Sequence, residues 1–406
     1  MERADVIILG GGLVGLTLAI ALDHHGVSSI VIDPADPSAT LSSTFDGRAS
    51  AVSITSWRML ETIGVGARLD GQGCPIGSIR VNEGLAPGGL SFQPDADEGP
   101  LGIMFENRRL RAALRESALA APNVTLLMPA RPAQTERTAH GVEVRLQDGR
   151  TAAGALLIGA EGRQSPTRDM AGIRLARWSY DHTAMIATVN HAHPHGNIAY
   201  EIFYPAGPFA ILPLLPAEDG QNRSAIVWTV KASDAAGMLG LPERAYAAEI
   251  EKRMGGFLGE VTLCSPRSSY PLGFHHAAKI TADRLALVGD AAHGIHPIAG
   301  QGLNLGFRDV AALVEVLVEG MRLGLDPGDA QLMARYQRWR GLDAMMTSVA
   351  MDGLVRLFDV PGRMPSLVRR AGLAAVQRTS LLKNRFMAEA RGQSGALPRL
   401  LTGEMV

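Results

Sequence analysis

Cysteine is almost missing from this chain. Cys74 and Cys264 are the only two in 406 residues, they stand far apart, and they form no CxxC pair. That count suits a reducing compartment and removes both a disulfide scaffold and a thiolate metal cluster. No HExxH, no clustered Cys/His set and no GxSxG occurs, so metal-hydrolase and serine-hydrolase chemistry have no footing and no metal is expected. The net charge of −1 gives no electrostatic case for nucleic acid as a partner. Internal repeats and low-complexity segments are also lacking, which excludes solenoids and propellers.

A membrane-length apolar run is missing too. The nearest approach is Val6 to Leu22, 17 residues without charge, which is short for a span. Ala19-Ile20-Ala21 mimics a signal-peptidase site, but Glu2 and Asp5 flank the single Arg3, the reverse of an export signal. The expectation is a soluble, cytoplasmic protein. Against these absences stand 46% hydrophobic residues and a mean hydropathy of +0.08, enough for a sizeable core in two domains or one large elaborated one.

The uncharged run has a better explanation. Val6 to Leu9 reads as a buried parallel strand, followed by Gly10-Gly11-Gly12-Leu13-Val14-Gly15 and an apolar helix to about His25. A second strand, Ser28 to Ile32, ends at Asp33, close to the spacing at which an acid grips a ribose hydroxyl. In this βαβ setting Gly10, Gly12 and Gly15 form a dinucleotide fingerprint, with Leu13 and Val14 opening the helix whose N-terminus receives pyrophosphate. No second full GxGxxG follows, so one tightly bound dinucleotide is implied. A disulfide-reductase arrangement, with its second fingerprint and CxxC, is not.

A second glycine-rich segment reads LALVGDAAHGIHPIAGQGLNLGFRD, from Leu285 to Asp309. A short strand stops at Gly289-Asp290, a loop containing Pro297 follows, and a helix is expected from near Asn304. Strand, glycine-rich loop and helix start bring backbone N–H groups to an electron-rich ligand.

The run His296 to Gly306, with Asp309 three residues on, resembles the signature of the ubiquinone-biosynthesis ring hydroxylases. These are FAD-dependent aromatic monooxygenases related to para-hydroxybenzoate hydroxylase. The resemblance implies FAD as cofactor, NAD(P)H as reductant and O2 as cosubstrate, with one oxygen passed to an electron-rich ring. It implies that Gly289 and Asp290 serve the ribityl or pyrophosphate part. The loop from Pro297 through Gly300, Gln301 and Gly302, continuing into Leu303 and Asn304, would lie against the isoalloxazine. Pro297 and Gln301 are the candidates for a flavin-side catalytic role.

Three more positions follow from the resemblance. Arg48, in Asp46-Gly47-Arg48-Ala49, would approach the FAD, although it reads equally as a surface arginine in a turn. Asn107, at the start of a helix through about Ala120, would lie near the flavin. Glu161-Gly162 stands where relatives carry Asp-Gly, so the acid is one methylene longer. His293 and His296 read either as bases for a phenol or as capping residues of the loop.

The expected fold is α/β, a Rossmann-type FAD-binding domain with an inserted β-rich substrate domain and C-terminal helices. The FAD-binding domain is assigned residues 1–75, 101–172 and 276–330, the substrate domain 76–100 and 173–275, and the helical region 331–406. Val142 to Ile158 reads as a hairpin turning at Asp148-Gly149. Phe203, Tyr204, Phe209 and Leu212 read as either pocket lining or core. From Arg363 to Val406 eight Lys or Arg face two Glu, a basic tail fit for anionic lipid or a solvated face. The resemblance implies a hydrophobic prenylated aromatic substrate and contact with other ubiquinone-biosynthesis proteins, and the basic tail adds the expectation of peripheral contact at the inner face of the membrane. Another FAD monooxygenase or prenyl reductase of the superfamily, or a low-turnover flavin scaffold, are the alternatives.

Overall fold

The structure, a computed structural model, describes residues 1–37, 46–86, 89–94, 99–295, 300–359, 377 and 379–406. Among the described residues the strands form four sheets. The sheet that carries the first fingerprint has six strands. From edge to edge these are Thr281–Ala282, Leu285–Leu287, Leu156–Gly159, Val6–Leu9, Ser29–Ile32 and Val124–Leu127. All pairings are parallel except the first. Val6 to Leu9 is at most 2% exposed, as a parallel strand covered on both faces requires.

The helix Leu13–Asp23 packs so closely on this sheet that only glycine fits at its root. A Cβ on Gly15 would stand 1.9 Å from the Gly10 carbonyl oxygen. One on Gly10, whose φ is +110°, would stand 2.3 Å from the Ala160 carbonyl oxygen.

The expected hairpin through Ile158 divides. Gly141–Leu146 and Thr151–Gly154 pair antiparallel in a separate four-stranded sheet, where side chains alternate between core and solvent. Leu156–Gly159, wholly apolar up to its glycine, leaves them to pair parallel with Val6–Leu9. An alternating run suits a half-exposed sheet and a continuous apolar run a doubly covered one, so one segment serves two sheets.

A nine-stranded sheet holds Leu175–His191, Ile198–Tyr204, Gly207–Leu214, Asn222–Lys231 and Ser268–Ala277, joined by Ser78–Glu83 and Leu90–Phe92. One side packs on the helix Glu243–Met254 through Tyr246 and Ile250. The other side meets a three-stranded sheet of Ala49–Ser53, Gly102–Glu106 and Cys74–Ile76. The helix Ala232–Leu239 is an addition to the expected elements.

The helix Gln301–Arg322 starts three residues before the expected Asn304, directly after Gly300, which takes the left-handed conformation at φ +62°. The helix Ala330–Asp359 crosses it and reaches the nine-stranded sheet. There Asp352 accepts hydrogen bonds from the Trp178 indole (3.0 Å) and the Tyr180 hydroxyl (2.5 Å).

The basic tail is partly consumed by the fold. Arg391 is buried, Arg399 pairs with Glu319 at 3.5 Å, and Leu400 and Leu401 are fully buried. Arg308 clasps this segment by donating to the Gly392 carbonyl at 2.9 Å and to the Ser394 carbonyl.

One buried carboxylate joins these pieces. Asp309 accepts the Gly289 N–H at 3.0 Å and Arg340 Nε at 2.8 Å, and His293 Nε2 lies 2.6 Å away. Burial alone would raise the Asp309 carboxyl, but the neighbouring His293 and Arg340 hold it below the usual carboxylate range. Replacing Arg340 by Met removes that carboxylate's permanent cation, leaving only the Gly289 N–H and His293, and should cost about 3–5 kcal/mol in urea unfolding at pH 7. A depressed folded value means the stabilisation is complete above about pH 4 and is lost as pH falls through that value. The deficit of the variant should therefore shrink in strong acid; an equal deficit at every pH would refute the assignment.

Candidate active site

The two glycine-rich segments meet at one side chain. Val14, in the first turn of the Leu13–Asp23 helix, lies against Gly289 and Gly306. A Cβ at Gly289 would be 3.3 Å from Val14 Cγ2, and one at Gly306 would be 2.8 Å from it. The starts of both helices thus face one cleft. The first N–H groups of an α-helix have no partner within the helix, and the dipole makes that end positive.

Around this cleft the glycines fall into two kinds. Gly10 and Gly15 are held by protein atoms, as above. Gly12 and Gly302 are not: a Cβ at either would meet nothing within 4 Å. Open glycines at the first turns of two helices form a cradle with room for a pyrophosphate and a planar ring. Asp33 sits at the end of its strand, with Oδ2 accepting the Gly11 N–H at 2.6 Å and Oδ1 the Ala35 N–H at 2.7 Å. The acid therefore shapes the glycine turn itself. Asp290 is exposed at the mouth of the cleft, while its carbonyl accepts from His275 Nε2 at 2.7 Å.

The strand Ala49–Ser53 forms the far wall, and Asn304 fastens it to the second helix. Asn304 is 4% exposed; its Oδ1 accepts the Ser53 N–H at 2.8 Å and its amide donates to the Ala51 carbonyl at 2.9 Å. All of this side chain's work is internal, so Asn304 positions the loop. Gln301 is buried in the first helical turn, and Leu303 packs on the main core. Pro297 and His296 lie outside the described residues.

Arg48 and Asn107 come together on the same wall. The Asn107 N–H donates to the Arg48 carbonyl at 2.9 Å, and Asn107 Oδ1 accepts from the Ser50 hydroxyl at 2.7 Å. The Arg48 guanidinium is more than half exposed and pairs with Asp46 at 2.7 Å. Ser50 and Ser53 carry no motif, and sequence reasoning passed over both. The Ser53 bond to Asn304 spans 251 residues, so no local signal pointed to it.

Glu161 is turned toward the short helix that follows it. Its carboxylate accepts from the Ser165 hydroxyl at 2.5 Å and the Thr167 hydroxyl at 2.7 Å, and burial raises its acid above the ordinary value. The extra methylene serves this capping contact. Gly162, with φ +79°, makes the turn between them. His293 is committed to Asp309 and buried, which fixes it as a loop-holding residue in place of a base facing the cleft.

Strand alternation settles the four aromatic and apolar candidates. Tyr204 and Phe209 pack behind the nine-stranded sheet, against its helix, whereas Leu212 packs on the opposite face, toward Ala49 and Ala51. Phe203, one residue from Tyr204 in an extended strand, shares the Leu212 face.

No group of His, Cys, Asp and Glu among the described residues could hold a metal ion. The open cradle does suit a dinucleotide. Gly12→Val should fold normally, since the added side chain enters open space, yet purify without flavin colour and melt where flavin-free wild type melts. A yellow variant would sink this account of the cradle.

Residues 3–345 match the family model of the FAD binding domain. The chain is 46% identical to ubiquinone hydroxylase UbiL of Rhodospirillum rubrum over 98% of its own length and 93% of that protein. It is 34% identical to 3-demethoxyubiquinol 3-hydroxylase of Escherichia coli, covering 96% of this chain and 99% of that one. The p-nitrophenol 4-monooxygenase PnpA from Pseudomonas putida shares the fold, with a TM-score of 0.79 at 16% identity over 98% and 100% of the two chains. This chain therefore belongs to the family of FAD-dependent monooxygenases that includes the ubiquinone-biosynthesis ring hydroxylases.

Proposed function

We propose that this protein hydroxylates the ring of a polyprenylated phenol or quinone precursor in ubiquinone biosynthesis, using NAD(P)H and O2. The observation that carries the reading is the junction at Val14, where two open helix starts share one cleft beneath an apolar sheet face. Relatives named as ubiquinone hydroxylases along nearly the whole chain support it.

Bound FAD would supply the redox and oxygen-activating chemistry. The chain would hold it through Gly10, Gly12, Leu13, Val14 and Gly15 at the pyrophosphate, and Asp33 and Asp290 would flank its sugar and ribityl parts. Arg48 and Asn107 would border the ring from one side. Gly289, Gly300, Gln301, Gly302 and Leu303 would border it from the other, with Pro297 completing that loop. N–H donors at the start of the Gln301–Arg322 helix would favour negative charge on the ring. Glu161 and Gly162 would act by shaping the adjoining turn. Leu212 and Phe203 would keep water from the reacting ring.

A prenylated substrate resides in lipid, and the helix Ala330–Asp359 offers a matching surface. Leu342, Met345, Met346 and Val349 are 49–63% exposed at helical spacing i, i+3, i+4 and i+7. Exposed Arg338 stands one turn before them, and the region after Arg363 is basic. No helix among the described residues is long and apolar enough to cross a membrane, so the contact proposed is peripheral, on an anionic bilayer.

The flavin-loaded protein, NADH or NADPH, labelled O2 and a short-chain prenylated phenol should give a product carrying one labelled oxygen by mass spectrometry. Reduction of the substrate without label would overturn the hydroxylase reading in favour of a reductase. Replacing Leu342, Met345, Met346 and Val349 by Ser should cut co-sedimentation with anionic vesicles at least severalfold while flavin content holds. Undiminished binding would remove the membrane assignment and leave the catalytic one standing.

A further inference from the structure

Glu201 is a carboxyl for which the described residues supply no hydrogen-bond or ion-pair partner. It lies in the strand Ile198–Tyr204, opposite Ala210 on one neighbouring strand and Val81 on the other. Tyr200, Ile202 and Tyr204 turn to the core behind the sheet. The two-residue period puts Glu201 on the other face with Ala199, which packs beside Leu212, Leu214 and Ala225. That face meets Ala49 and Ala51, and a Cβ on Gly300 would stand 3.2 Å from Ala51. Glu201 thus belongs to the roof above the loop that borders the candidate flavin site.

Its environment is unusual for an acid. It lies deep in the protein, yet its side chain keeps accessible surface, as a group lining a recess does. Among the described residues it makes no hydrogen bond and no ion pair. Ala199, Ala210 and Val81 beside it are apolar, with Glu83 its diagonal neighbour on the next strand, and burial pushes its acid up to about 8, so near neutral pH it is largely a neutral carboxyl. An unpaired carboxyl held away from bulk water costs stability that an aliphatic residue would recover. A neutral carboxyl both donates and accepts, which matches a phenolic hydroxyl.

We infer that Glu201 recognises the ring hydroxyl of the substrate, pairing with it across the recess and thereby fixing which ring carbon faces the flavin. The inference rests on the ring-hydroxylase reading and adds the group that orients the ring. A prenyl chain gives hydrophobic attraction without direction; one hydrogen bond at the far end supplies direction.

The test is a binding titration on the flavin-loaded protein, read by the change in flavin absorbance. The probes are a phenol bearing a short prenyl chain and its O-methyl ether. Wild type should bind the phenol at least tenfold more tightly than the ether, the size of one well-buried hydrogen bond. Glu201→Leu should bring the two within about twofold of each other, keep its flavin and melt at a higher temperature. Glu201→Gln, whose amide also donates and accepts, should retain most of the preference. A Leu variant with the wild-type ratio overturns the inference. So does loss of flavin or a lowered melting point in both variants, since that makes Glu201 structural. Wild type that binds neither compound removes the ring-hydroxylase reading itself.

Discussion

A single buried carboxylate holds the second half of the site to the first. Asp309 reaches from inside the Gln301–Arg322 helix to the Gly289 N–H, the His293 ring and the Arg340 guanidinium. Those three partners belong to the end of a parallel strand, to the glycine-rich loop and to a different helix. Fully buried charge is tolerable only when paired and hydrogen-bonded, so the four groups specify one another's positions. The turn at Gly289 then packs against Val14, which brings the two glycine-rich segments together.

Smaller devices complete what the carboxylate begins. Asn304 links the helix start to the strand Ala49–Ser53, and Asp33 braces the first glycine turn. Arg308, one residue before Asp309, secures Gly392 and Ser394. Adjacent residues of one helix thus serve the cleft and the chain's last segment. The glycines divide by the same logic. Gly10 and Gly15 let backbone approach backbone, while Gly12 and Gly302 leave room for something that is not protein.

Much of this was legible in sequence, because the fingerprints are local. Val6 to Asp33 displays strand, turn, helix, strand and acid in order, and backbone geometry dictates that spacing. Leu285 to Asp309 was readable for the same reason. What escaped was long-range. Nothing near Ser53 announces a partner in Asn304, and nothing near Arg391 announces that its charge is spent inside the fold. The segment to Ile158 reads as one hairpin from its turn chemistry, whereas the change from alternating to continuous apolar residues marks where the chain passes to a second sheet. Pocket and core were inseparable along Ile198–Tyr204 until pairing fixed its faces.

The distance in sequence between the two cleft segments has a consequence for synthesis. Residues leave the ribosome in order, and domains generally begin folding N-terminal first. The βαβ unit at the start of this chain emerges with its glycine turn formed but with only one wall of the cleft. Gly289 to Asp309 must follow before Val14 has anything to press against, and Arg340 must follow that before Asp309 is neutralised. If the cradle holds the flavin as proposed, cofactor capture is a late event, tied to near-completion of the chain. A nascent or interrupted polypeptide would carry the fingerprint of a flavoprotein without the means to hold a flavin.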